Sequence, residues 1–171
     1  ACLDGLHASE SPAHEIVVVD DGSTDRTAEI ARQHGAKVVA TPTKSGPGAA
    51  RNLGVAQATG DVVLFVDADV VVEPGTLARV ATHFESADVS AVFGSYDDAP
   101  ANQEFISQYK NLQHHFVHQN ASEDASTFWA GCRAGTASLP STAPVWGIPT
   151  GCMTRAKRRA NRQRCWRPPA F

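Results

Sequence analysis

Short apolar runs alternate with segments of helical period from Ile16 to Tyr96, a pattern that predicts successive strand and helix pairs. "IVVV", Ile16 to Val19, is a continuous β-branched run of the kind expected of a strand buried on both faces. "GSTDRTAEIARQHG" follows as a helix, with Ser23, Thr24 or Asp25 available as N-cap and Gly35 as the stop. "AKVVAT" predicts a second strand, and "GPGAARNLGVAQATG" a helix opened by Pro47 and closed by Gly60. "DVVLFVDAD" is another buried strand, this one ending in acids. "EPGTLARVATHFES" restarts a helix with Pro74 near its first turn, and "VSAVFGSY" is a further strand. In "NQEFISQYKNLQHHFVHQ", Phe105, Ile106, Tyr109, Leu112, Phe116 and Val117 recur at helical spacing, which predicts an amphipathic helix with its aromatics in the core.

Such alternation implies an α/β domain, a Rossmann-like, mostly parallel sheet flanked by helices. The periodicity ends at Arg133. The last 39 residues hold five of the ten prolines and two of the three tryptophans, with no helix or strand template. One domain over residues 1–132 and a poorly ordered tail over 133–171 are therefore expected.

Charge sharpens that boundary. The formal net charge is -3, yet residues 1–154 carry 8 basic and 18 acidic groups, while 155–171 carry 7 basic groups and no acid. A basic tail with a tryptophan is also the signature of a nucleic-acid or anionic-membrane patch. A solvated tail is the plainer reading, and no nucleic-acid partner is expected. No apolar run approaches the roughly 18 residues needed to span a bilayer, so no membrane span is expected. Cys2, Cys132, Cys152 and Cys165 form no C-x-x-C pair, which favours free thiols in a reducing cytoplasm. The chain begins at Ala1 with no signal-peptide pattern, and a fragment or processed product is expected.

The candidate chemistry lies at the strand ends. Asp20 and Asp21 close the first run, and Asp67 and Asp69 close "LFVDAD". In an open parallel sheet, ligands bind beyond the carboxyl ends of the strands. Like charges about 4 Å apart repel by roughly 4 kcal/mol at an effective dielectric of about 20, so carboxylates sharing one rim invite a cation. Magnesium or manganese, bridging a protein acid to a substrate diphosphate, is one answer. Asp-x-Asp in an extended segment would point both acids to one side. Both pairs are equally compatible with turn and N-cap roles. Arg51, in a helix led in by "KSGPG", suits an anion near a helix N-terminus, or simple exposure on that helix. His114 and His118, spaced i, i+4 with His115 beside them, could ligate zinc but lack a completing acid; a helix face near an acceptor site or ordinary surface histidines fit better. "NAS" at Asn120 matches a glycosylation acceptor without a secretory context.

The order "EIVVVDDGSTDRT", "GPGAARNLGVAQATGDVVLFVDAD", "VEPGTLARV" resembles the nucleotide-binding half of the family 2 glycosyltransferases, which have the GT-A fold. The resemblance covers Ile16 to Phe93 and extends more loosely to Cys132. It implies inverting transfer of a sugar from a nucleotide-diphosphate donor to a hydroxyl of a glycan or lipid-linked acceptor, assisted by Mn2+ or Mg2+. By the same resemblance Asp21 contacts the base, Asp20 shapes its turn, and Arg51 lies by the nucleotide. Asp67 then stands toward the ribose, and Asp69 toward the metal and diphosphate. A cytoplasmic setting follows, at the inner face of the membrane in the full-length parent.

Two departures stand out. The family's opening strand and its Pro-x-Tyr-Asn wall are not seen, so an amino-terminally incomplete domain is expected. The family's catalytic Asp or Glu follows a Gly-Gly-Phe stretch, whereas here "FWAGC" leads into "RAGTASLPSTAPVWG" and no acid follows Asp124. Glu123 and Asp124 lie too early to inherit that role. A reading-frame shift near Cys132 fits the loss of acids and the gain of Arg, Pro and Ala. The rival readings are a non-catalytic nucleotide-sugar-binding remnant and a nucleotidyltransferase, whose glycine-rich, lysine-bearing loop is not seen.

Overall fold

The computed structural model describes residues 1–86, 89, 91–100, 102–120, 124–125, 132–136, 156–157 and 164–167. Their elements run α1 Cys2–His7, β1 Val17–Asp20, α2 Thr27–Gln33, β2 Lys37–Ala40, α3 Gly46–Gln57, β3 Val62–Val66, β4 Val71–Val72 and α4 Thr76–Phe84. They continue with β5 Ala91–Phe93, β6 Ser95–Tyr96, α5 Phe105–Gln119, β7 Asp124–Ala125, β8 Cys132–Thr136, β9 Ala156–Lys157 and β10 Arg164–Arg167. The α/β order is the one the alternation predicts. The chain forms two compact units, one built on Ala1–Pro12 and Leu64–Gly135 together with β9 and β10, the other on Ala13–Val63.

In the Ala13–Val63 unit, β1 and β2 form a parallel ladder from Val17 opposite Lys37 to Asp20 opposite Ala40, with α2 as the crossover such a pair requires. None of the three candidate caps holds the N-cap position, which falls to Arg26; Asp25 stands one residue earlier, its Oδ1 accepting the Thr27 N–H at 3.0 Å. The helix ends as Gly35 N–H bonds the Arg32 carbonyl and Ala36 N–H bonds the Ala31 carbonyl, the paired closure that glycine after a helix favours. β1 is half-buried at all four positions, not buried on both faces, because its described ladder has two strands and leaves an open edge. α3 approaches β1 closely at Gly54, where a Cβ would stand 3.2 Å from Val19 Cγ2. It stops at Gln57, short of Gly60: Ala58 turns extended, and Lys37 Nζ donates to the Gln57 carbonyl at 2.9 Å, a cation at a helix C-terminus.

The other unit centres on buried Val70, Val72 and Cys132, with Leu6, Leu64, Val66, Leu77 and Tyr96 packed around them. Burying each aliphatic side chain there contributes about 1.5–3 kcal/mol. One sheet has the order β3-β8-β5, with β5 antiparallel to β8; another has β4-β10-β6, with β10 antiparallel to β4 and parallel to β6. β7 pairs antiparallel with β9. α4 follows Pro74 and turns inward Thr76 and Val80, both buried. The Arg133 guanidinium lies 5.5 Å over the Phe65 ring.

Two sequence expectations need correction. Strands occur beyond Arg133, in β8, β9 and β10, because short ladders are held by backbone hydrogen bonds and need no apolar alternation. The rest of the expected tail lies outside the described residues. The second correction concerns α5, whose aromatics are not core: Phe105 is 80% exposed and Phe116 66%, and Ile106, Tyr109, Leu112 and Val117 are exposed with them. The helix turns its polar side inward. Asn111 Nδ2 donates to the Asp97 carbonyl at 2.8 Å, His115 Nδ1 meets the Tyr96 carbonyl at 2.6 Å, and Gln119 Nε2 donates to Ser95 Oγ at 3.1 Å. β10 pairs with one edge of β6, and these side chains satisfy polar groups on β6 and at Asp97 that would otherwise be buried without partners.

Candidate functional site

At the end of β1 the chain reverses through Gly22, which sits at φ +83°, a region open to glycine and strained for other residues. Asp20 Oδ1 accepts the Ser23 N–H at 2.8 Å and fixes this turn. Hydrogen bonding from Ser23 holds the Asp20 carboxyl below its ordinary range. Its backbone carbonyl accepts the Thr41 N–H at 3.0 Å, extending the ladder beyond β2.

Asp21 reaches the loop before α3. Its Oδ1 accepts the Ser45 N–H at 2.8 Å and the Thr41 hydroxyl at 2.7 Å, and its Oδ2 accepts the Gly46 N–H at 2.7 Å. The carboxylate thus caps α3 from a distant strand, where a helix leaves its first N–H groups without partners. The Ser45 N–H, the Thr41 hydroxyl and the Gly46 N–H all lower its pKa, the first most. Arg51 lies in the second turn of the same helix and is half-buried. Asp20, Asp21 and Arg51 therefore belong to one unit, in which Asp21 holds the loop Thr41–Gly46. Thr41 and Ser45 were not singled out by sequence; the signal was a hydroxyl run beside glycine in "TPTKSGPG".

Asp67 and Asp69 follow β3 in the other unit. The Val70 N–H donates to the Asp67 carbonyl at 2.9 Å and closes Asp67–Val70 into a tight turn. The expectation of an extended Asp-x-Asp is thereby corrected: Val70 dives into the core, so the chain must bend directly after Val66. Asp67 is half-buried and Asp69 exposed. The Cys2 thiol lies 3.8 Å from the Asp67 carbonyl. Burial raises its pKa first, the amino terminus opposes that, and the charges of Asp69 and Asp67 add to it, which disfavours the thiolate.

Tyr96, at the end of β6, was read from sequence only as part of a strand. It packs against the cluster of Val70, Val72 and Cys132, whose Val70 closes the acid turn. The His114 ring stacks on it at 5.1 Å between centroids, and the His118 ring is tilted against it at 5.6 Å. Burial, then the negative charges of Asp69 and Asp67, push the Tyr96 phenol upward, so it stays a hydrogen-bond donor. The histidines thus pack their rings on Tyr96.

Among the described residues no group of three or more His, Cys, Asp and Glu side chains converges as a metal cage. Asp67 and Asp69 still fit a hard cation of the magnesium or manganese kind, which is commonly held by one or two carboxylates with substrate phosphates and water. Asp124 lies in β7, and Glu123 lies outside the described residues.

A model of the family described as Glycosyl transferase family 2 matches residues 1–139. The alr2836 glycosyltransferase of Nostoc sp. is 39% identical over 102 residues, which is 55% of this chain and 31% of the relative. TarS 1-349 of S. aureus, solved in complex with UDP-GlcNAc, superimposes with a TM-score of 0.59 at 26% identity, over 81% of this chain and 41% of that one. The mannosyltransferase PcManGT from Pyrobaculum calidifontis, solved with GDP-Man and Mn2+, gives a TM-score of 0.58 at 24% identity, over 78% of this chain and 39% of that chain. The shared fold is GT-A. The chain spans about a third of the length of the Nostoc relative.

Proposed function

Because the chain belongs to glycosyl transferase family 2, we propose that its parent protein transfers a sugar from a nucleotide-diphosphate donor to an acceptor hydroxyl with inversion, and that this chain carries the donor-binding half. The observation that carries the reading is the Asp67–Val70 turn, which sets an exposed Asp69 beside a half-buried Asp67 directly beyond a strand. In this reading Asp69 takes a divalent cation of the Mn2+ or Mg2+ kind, and Asp67 stands toward the ribose. When bound, that cation would neutralise charge on the departing diphosphate. Asp21 contacts the base and holds the loop before α3, Asp20 shapes the turn at the end of β1, and Arg51 adds positive charge by the nucleotide. The complexes of TarS with UDP-GlcNAc and of PcManGT with GDP-Man and Mn2+ support a donor of this class.

The setting we propose is cytoplasmic, at the inner face of the membrane in the parent protein. Cys2 and Cys132 are free thiols, which supports a reducing compartment, and no described helix is long and apolar enough to cross a membrane. A glycan or a lipid-linked molecule is the acceptor class. The absence of any carboxylate after Asp124 favours one further reading, a nucleotide-sugar-binding remnant without turnover. Residues 133–171, read as an aberrant basic tail, are where the catalytic acid is then lost.

Calorimetric titration with UDP and GDP, with and without Mn2+, tests the donor reading. Binding that requires the metal and disappears in Asp69→Ala is expected. Metal-independent binding, or none by a folded sample, overturns it. Sugar-transfer assays then separate enzyme from remnant.

A further inference from the structure

α5 is built the wrong way round for a helix whose only task is packing. Facing inward with its apolar arc, about 140° wide by helical geometry, it would bury several large side chains at about 1.5–3 kcal/mol each. It instead presents Asn111, His114, His115 and His118 to β6 and leaves Phe105, Tyr109 and Phe116 exposed. The inward groups converge on one residue. Tyr96 receives the His114 ring on its face and the His118 ring at a tilt, while His115 engages its carbonyl. Its neighbours Ser95 and Asp97 are held by Gln119 and Asn111. Tyr96 also packs against the cluster of Val70, Val72 and Cys132, in which Val70 directly follows Asp69.

We propose that Tyr96 is a donor-binding residue, its hydroxyl donating a hydrogen bond to an oxygen of the donor's diphosphate, and that His114 and His118 are the positioning residues that fix its ring. The assignment rests on the reading of Asp67 and Asp69 as the residues that gather that diphosphate. A ring wedged between two imidazoles and a hydrophobic cluster has little rotamer freedom left, so its hydroxyl is aimed before the ligand arrives.

The test uses the intact chain with Mn2+ and whichever of UDP and GDP the wild type binds, the matching nucleoside (uridine or guanosine) serving as the control that lacks phosphates. Tyr96→Phe keeps the stack and removes only the hydroxyl, and is expected to weaken the nucleoside diphosphate about tenfold while leaving the nucleoside unchanged. His114→Ala with His118→Ala, its fold checked by circular dichroism, should weaken the diphosphate to a similar degree with the same split. His118→Phe, which restores a ring, should recover part of the loss. Wild-type affinity in Tyr96→Phe overturns the inference and leaves the proposed function standing. Equal loss for nucleoside and diphosphate also overturns it, since that is what general loosening gives. If wild type binds neither UDP nor GDP with Mn2+, the donor reading itself falls, and this assignment falls with it.

Discussion

Asp21 and Asp69 each stand just beyond an apolar strand, and their surroundings make them different tools. Asp21, in the Ala13–Val63 unit, spends its carboxylate on the Thr41 hydroxyl and the N–H groups of Ser45 and Gly46. A carboxylate has about four acceptor positions, so Asp21 keeps about one for a ligand such as the base proposed above. Asp69, in the other unit, is exposed on a tight turn. One aspartate shapes a loop through its own chain, and the other is free of that duty and suited to a cation. The same residue type at the same kind of position thus differs in how far the fold's own donors engage it.

Asp69→Ala gives the largest expected effect and bears directly on that division. Metal-dependent affinity for a nucleoside diphosphate should fall at least about tenfold, as losses around metal ligands do, while the thermal midpoint stays where it was. Calorimetry paired with a melting curve checks both. A drop in Tm as large as that of Asp21→Ala would erase the distinction.

Asp21→Ala should act on stability first. Without the carboxylate the start of α3 loses its cap, so the midpoint should fall by several degrees and amide exchange at Ser45 and Gly46 should accelerate. The pH dependence has a definite sign. The folded-state pKa of Asp21 lies below its unfolded value, so its contribution is complete above the ordinary aspartate range and is lost as pH falls through the depressed folded value. Acid titration of the melting midpoint should therefore be shallower in Asp21→Asn than in wild type. Parallel curves would show that Asp21 does not hold the loop.

The carboxylates were legible because strand ends and Asp-x-Asp spacing are local signals, whereas their division of labour depends on Thr41, Ser45 and Gly46, more than 19 residues from Asp21 in sequence. The β1–α2–β2 unit was readable for the same local reason, and its parallel ladder follows from the crossover helix. α5 was readable as a helix but not in its orientation. Periodicity says that two faces differ, not which one turns inward, and here β6 and Asp97 offer polar groups that Asn111, His115 and Gln119 satisfy. Phe105→Ser and Phe116→Ser should accordingly change unfolding free energy by no more than about 0.5 kcal/mol in urea titrations, as exposed substitutions do. The several kcal/mol that loss of a core phenylalanine costs would restore the opposite orientation.

Asp20→Asn carries the smallest expected effect and sharpens the contrast from the scaffold side. Asp20 Oδ1 accepts the Ser23 N–H, and an asparagine keeps an oxygen there, so the turn through Gly22 should survive. Hydrogen bonding from Ser23 lowers the Asp20 pKa, so only the acid end of the stability profile should flatten, and by less than in Asp21→Asn, which involves three donors. Nucleoside-diphosphate affinity at neutral pH should stay within about twofold of wild type, because the amide oxygen takes over the carboxylate's internal hydrogen bond. A tenfold loss of affinity with an unchanged melting midpoint would instead make Asp20 a direct nucleotide contact and move it from the scaffold group to the ligand group.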